Sequence, residues 1–217
     1  MKNYILFLSL FMFVFASCDD GRLYQDRLIV PEEGRVVKLH VNMSGVDTWP
    51  DGYTVVLAGF NDDKEYSLIA KSIPNNGDVD MVMAGIGEDV TSIELCVTNR
   101  IRERVYSFYT QDFSTVDADT TRVDAGTIDA GMFNAIQQGI FIGKSCVGCH
   151  GTSTTAAADL DLKEGVSYND LVNRPSVIMP EWMRVNPGNS GESMLYQILS
   201  SPVSKEWGLS LIHISEP

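Results

Sequence analysis

Between residues 35 and 113 apolar side chains recur at every second position, in short runs separated by turn-forming residues, and that rhythm leaves few folds open. In RVVKLHVNM (35–43), Val37, Leu39, Val41 and Met43 fall on one side of an extended chain, with Lys38, His40 and Asn42 on the other. Such alternation marks a half-buried strand. The pattern returns in YTVVLAGF from Tyr53, EYSLIAKS from Glu65, DVDMVMAG from Asp78, TSIELCVTN from Thr91 and ERVYSFYT from Glu103. WPDG (49–52), NDDK (61–64) and PNNGD (74–78) supply turn chemistry between the runs. About six or seven short strands so punctuated predict an antiparallel β-sandwich of immunoglobulin-like size over residues 35–113. The Cys, Trp, Cys spacing of antibody domains is absent, which leaves the strand order open.

Nothing in this segment reads as catalytic. His40 falls on the polar face of its strand, a position that predicts solvent exposure rather than metal binding. Tyr106, Phe108 and Tyr109 could form a binding platform, but core packing and cross-strand pairing explain them more cheaply. Cys96 stands alone in an apolar strand, as an inert buried thiol would.

The N-terminus reads as an address. Lys2 gives a short positive region, Ile5 to Ala16 is almost wholly apolar, and VFASC leads small residues into a cysteine. The apolar run is about a dozen residues, short of the ~20 a membrane-spanning helix needs. Ala16 and Ser17 before Cys18 resemble the lipobox of bacterial lipoproteins, although Phe15 is bulkier than usual at its position. That resemblance implies a signal peptide over residues 1–17, acylation of Cys18 and a tether over 18–34. The mature chain is then exported to the bacterial cell envelope and held to a membrane by buried methylenes, each contributing ~0.8 kcal/mol.

Charge narrows the choice of partner. Asp and Glu number 29 against 16 Lys and Arg, a formal net charge of -13. Phosphate backbones would repel such a chain, which argues against nucleic acid, and a basic partner or a neutral ligand fits better. From Ser114 to Asp129 the composition shifts to Thr, Asp, Ala and Gly, read as a linker (114–129) with at most one short strand. Beyond it, GMFNAIQQGIFIGKSC has helical spacing, with Phe133, Ile136, Ile140 and either Phe141 or Gln137 on one face. A helix therefore runs straight into CVGCHG, residues 146–151.

That hexapeptide carries the chemistry. A zinc site wants four ligands, and no second Cys or His pair stands at a set distance. A thioredoxin-type dithiol wants an alternating strand and helix pattern, which is missing here. Covalent haem attachment asks only for what is present. Two thiols with two residues between them reach both vinyl groups of one porphyrin, and the adjacent imidazole is delivered to an axial face of the iron.

From residue 130 the chain resembles the haem-binding c-type cytochrome domains of bacterial lipoproteins of the Bacteroidetes kind. The resemblance rests on the helix before SCVGCHG, on LDL at Leu160 to Leu162, on YNDLVN at Tyr168 to Asn173 and on RVNPGNSGESMLYQIL from Arg184. It implies a small all-α cytochrome c domain over 130–208, following the sandwich in an α+β chain of two domains. Cys146 and Cys149 would carry one haem c and His150 would be its proximal ligand. The family's distal methionine sits in an MPxGG-like loop, which this chain lacks. Met179, which precedes Pro180, and Met183 and Met194 are the substitutes, each better explained by packing than by coordination. Arg184 is the candidate for neutralising a propionate. The last nine residues, LSLIHISEP, resemble the conceptual translation of a sequencing adapter. On that reading residues 209–217 are artefact, the haem domain is truncated at 208, and His213 is no ligand.

Three function classes follow, and each asks something different of the iron. An electron carrier needs two fixed axial ligands. A peroxidase or gas sensor needs one open axial position and a polar distal group, for which no distal His or Arg motif speaks. A structural or recognition lipoprotein would use the sandwich and keep the haem to complete a small core. Non-catalytic electron transfer is the leading expectation, with the sandwich as spacer or docking module.

Overall fold

The computed structural model describes residues 34–62, 65–114, 119–151 and 156–200. The expected signal peptide, Cys18, most of the tether and the adapter-like tail with His213 lie outside the described residues. Among those described, no helix is long and apolar enough to cross a membrane.

The structure is mostly β, with two sheets and a few short helices. Its strands are β1 (Arg35–Ser44), β2 (Tyr53–Phe60), β3 (Ile69–Ser72), β4 (Gly77–Ile86), β5 (Ser92–Asn99), β6 (Arg104–Asp112) and β7 (Thr120–Asp129). One sheet runs β4-β1-β7 and the other β3-β2-β5-β6. Val37, Leu39, Val41 and Met43 of β1 are buried, as their alternation requires. They share one core with Val55 and Leu57 of β2, Ile93 and Leu95 of β5, and Val79 and Met83 of β4. A single core between two sheets makes a sandwich, stabilised by ~1.5–3 kcal/mol for each large side chain fully withdrawn from water.

Two sequence expectations change here. Residues 120–129, read as linker with at most a short strand, form ten-residue β7, and β7 lies parallel to β1 rather than antiparallel. Its Val123 and Ile128 enter the shared core, too few apolar residues for periodicity alone to reveal a strand. The run from Glu65 is also shorter than expected. Only Ile69–Ser72 is strand, while Tyr66 bridges to Glu103 and Ser67 N–H donates to the Arg102 carbonyl. That crossing helps to explain why β2 and β5 are buried on both faces. Val56, Ala58, Phe60 and Cys96 form a second small cluster. Beside it Arg104 pairs with the buried Glu94 at 2.6 Å and lies over the Phe60 ring.

The aromatic residues of β6 are packing groups. Phe108 and Tyr109 lean on the shared core, and Tyr106 meets Phe108 edge to face. Tyr106 also approaches Gly139 so closely that a Cβ there would stand 2.8 Å from its ring. Only glycine lets the following helix lie against this strand.

Beyond β7 the chain forms short elements. Helix α1 (Met132–Ile136) continues as a π-helical segment over Gln137–Ile142, followed by α2 (Ser167–Leu171) and α3 (Met194–Ser200). Phe141, Leu162 and Leu171 are the buried centre of this region, with Phe133, Ile136 and Ile140 packed on them. The expected helical face is thus the buried one. Both alternatives weighed for it are inside, since Gln137 is buried as well, donating to the Leu162 carbonyl at 2.9 Å and accepting from the Ser167 hydroxyl at 2.5 Å. A buried amide is tolerated when its polar atoms are so matched.

Candidate functional site

The CVGCH motif follows the end of this helical run. Ser145 adopts a left-handed conformation, φ 60°, and turns the chain into a tight 3-10 turn over Cys146–Gly148. The Cys146 carbonyl then accepts from the backbone N–H of Cys149 at 3.3 Å and of His150 at 3.0 Å. The motif is thereby closed on itself, so the cysteines and the histidine are presented from one compact turn. The π-helical segment just before it is a rare conformation, often met beside functional sites.

Cys146, Cys149 and His150 border one cleft of about 280 Å³, near the lower limit of small-molecule sites. Its floor is Phe141, Leu162 and Leu171, the centre of the local core. Met194, Leu195, Ile198 and Leu199 of α3 also line it. Val177 and Ile178, both largely exposed, complete a predominantly apolar rim.

The polar groups here are few. Cys146 is half-buried, and desolvation pushes its thiol above the ordinary range. Cys149 is exposed. The Nδ1 atom of His150 lies 2.9 Å from the Ala157 carbonyl. Because a carbonyl only accepts, Nδ1 is the donor, and in the neutral imidazole Nε2 is then left with a bare lone pair. The segment that provides this carbonyl is tied back to the motif, Ala157 N–H to Cys149 O at 3.0 Å and Leu162 N–H to His150 O at 2.7 Å.

These features fit a covalently held porphyrin in kind. Apolar walls suit its faces, two thiols stand at one rim, and an imidazole has the coordinating nitrogen free while the other is hydrogen-bonded, as metal-ligating histidines usually are. Among the described residues no three His, Cys, Asp or Glu side chains converge closely enough to hold a bare metal ion.

The remaining sequence candidates separate. Met194 is buried in the cleft wall. Met179 and Met183 are not in the lining, and Met183 is an exposed residue bridged to Pro175 and Ser193. Arg184 borders the cleft, but its guanidinium is directed at protein groups. Nη1 meets the Asp170 carboxylate at 3.0 Å and the Asp170 carbonyl at 2.9 Å, and Nη2 meets the carbonyls of Ala158 at 3.2 Å and Asp159 at 2.7 Å. Those partners take up the Nη hydrogens. His40, as expected, is exposed, with Asp80 at 2.9 Å as its partner.

Sequence reasoning missed Asp170, Ala157 and the Val177 and Ile178 rim. An acidic residue within YNDLVN and an apolar pair just before Met179 were the available signals. A backbone carbonyl leaves none. Comparison of the chain with protein-family models, curated proteins and solved structures found no match.

Proposed function

We propose that this chain is an exported, lipid-anchored c-type cytochrome that transfers electrons. In this reading residues from 130 onward form a small cytochrome c-like domain, and the sandwich is a spacer or docking module. Cys146 and Cys149 hold one haem c through thioethers, and His150 ligates the iron. Cys18 anchors the mature chain to an envelope membrane, and the net charge of -13 favours basic redox partners.

One observation carries the reading: both thiols and the imidazole of a single CxxCH motif border one apolar cleft, with the Nδ1 of that imidazole on a backbone carbonyl. When bound, such a haem supplies reversible one-electron chemistry. The chain's own residues do the rest. The thiols prevent loss of the cofactor outside the cell, Phe141, Leu162 and Leu171 exclude water from the floor, and the Ala157 carbonyl orients His150 and strengthens it as a donor.

The test is mass spectrometry of the full chain matured in a host with a haem-attachment system. Each thiol adds its S–H across one vinyl double bond and nothing leaves, so the chain should gain the whole mass of one haem. Cys146→Ala or Cys149→Ala should weaken retention, and His150→Ala should disturb the iron spin state. Thiols found free, or joined only to each other, would sink the proposal. In the full-length protein a sharp reduced spectrum without a carbon monoxide adduct supports the carrier, whereas ready carbon monoxide binding assigns the site to the open-position class.

A further inference from the structure

The turn that faces His150 is held in a conformation its sequence does not favour. Ala158 and Asp159 follow one another in the left-handed region, at φ 54° and 51°. Neither is glycine, and such backbone persists only where the surroundings over-determine it. What over-determines it is Arg184. Its Nη2 holds both of their carbonyls, at 3.2 and 2.7 Å, while its Nη1 is fixed on Asp170. The other Asp170 carboxylate oxygen accepts the Asp161 N–H at 2.6 Å, so the far end of the same turn is tied to the same carboxylate. Arg184 is itself firmly seated. Its side chain is buried, its N–H donates to the Arg174 carbonyl at 2.6 Å, and its carbonyl accepts from Leu195 at 3.0 Å.

The residue just before the strained pair is Ala157, the acceptor for His150 Nδ1. We infer that Arg184 is a positioning residue for His150. By clamping the Ala158 and Asp159 carbonyls against Asp170, it holds the Ala157 carbonyl on Nδ1 and leaves Nε2 as the nitrogen available for coordination. The importance of this for function rests on reading His150 as the axial ligand; the clamp itself is a property of the chain. Guanidinium is required because a planar fork can serve two carbonyls and a carboxylate together, which a lysine ammonium on its flexible stem cannot.

The experiment reads the imidazole directly. Long-range proton to nitrogen-15 correlation on the haem-free full chain should find the His150 proton on Nδ1. In Arg184→Lys, which keeps a cation opposite Asp170, and in Arg184→Gln, the proton should redistribute between the two nitrogens. In the matured protein Arg184→Lys, which keeps the positive charge and so isolates the weaker imidazole donor, should show a midpoint potential raised above wild type. A wild-type proton on Nε2 overturns the inference without any variant. So does a folded Arg184→Lys protein whose tautomer and potential match wild type. If the wild-type chain acquires no covalent haem, the cytochrome reading fails on its own while the tautomer result still judges the clamp.

Discussion

Three cysteines among the described residues sit in three environments, and the difference is large enough to order their chemistry. Cys96, on β5, is fully buried with Val56, Ala58 and Phe60 of β2, and desolvation with Glu94 nearby pushes its thiol to about 12. Cys146 is half-buried and raised by the same desolvation, while Cys149 is exposed. Since the thiolate is the reactive form, iodoacetamide should label Cys149 of the haem-free chain first, Cys146 more slowly and Cys96 only on unfolding. Peptide mapping that found Cys96 labelled as fast as Cys149 would contradict this packing. His40 gives a second residue-scale expectation. The Asp80 hydrogen bond, then the charges of Asp80, Asp124 and Asp78, raise it above its ordinary 6.5. A group so raised contributes stability that is fully present below its unfolded value and lost as pH rises through its folded value. Wild type should therefore exceed Asp80→Asn slightly in melting temperature near pH 5.5, and the gap should close at alkaline pH. An imidazole titration midpoint unchanged by Asp80→Asn would rule the pair out.

At the scale of elements, β7 is where composition misleads. STVDADTTRVDAGTID looks like a linker, yet its last ten residues complete the β4-β1-β7 sheet and bury Val123 and Ile128. Without them β1 becomes an open edge and the core loses two side chains, a deficit of ~3–6 kcal/mol at ~1.5–3 kcal/mol each. Set against a typical total of ~5–15 kcal/mol, that is enough to unfold a domain. A fragment ending at 113 should therefore aggregate or melt far below one ending at 131. Urea denaturation with equal midpoints for the two would show β7 to be dispensable. Any search for a binding partner of the sandwich accordingly needs the longer fragment.

For the whole molecule the governing quantity is charge. At -13 the chain should meet cationic partners faster than anionic ones, with an advantage that shrinks as salt shortens the Debye length from ~10 Å at 0.1 M to ~3 Å at 1 M. Stopped-flow reduction of the matured protein by a basic redox protein should slow with ionic strength, while reduction by an anionic reagent should quicken. Rates indifferent to salt for both would remove charge from the account of partner choice. At this scale, too, the boundary between legible and hidden is clear. The sequence by itself determined β1, β2, β4, β5 and β6, because short apolar runs bounded by turn residues are local features, and it determined CVGCH, because three side chains within five residues need no fold to be neighbours. Only the tertiary structure decided that β7 pairs parallel with β1, that Met194 rather than Met179 or Met183 reaches the cleft, and that Arg184 grips the Asp159 carbonyl, 25 residues away, beside His150. Contacts between distant residues depend on how loops close and which backbone groups are left wanting partners, and no periodicity along the chain records that.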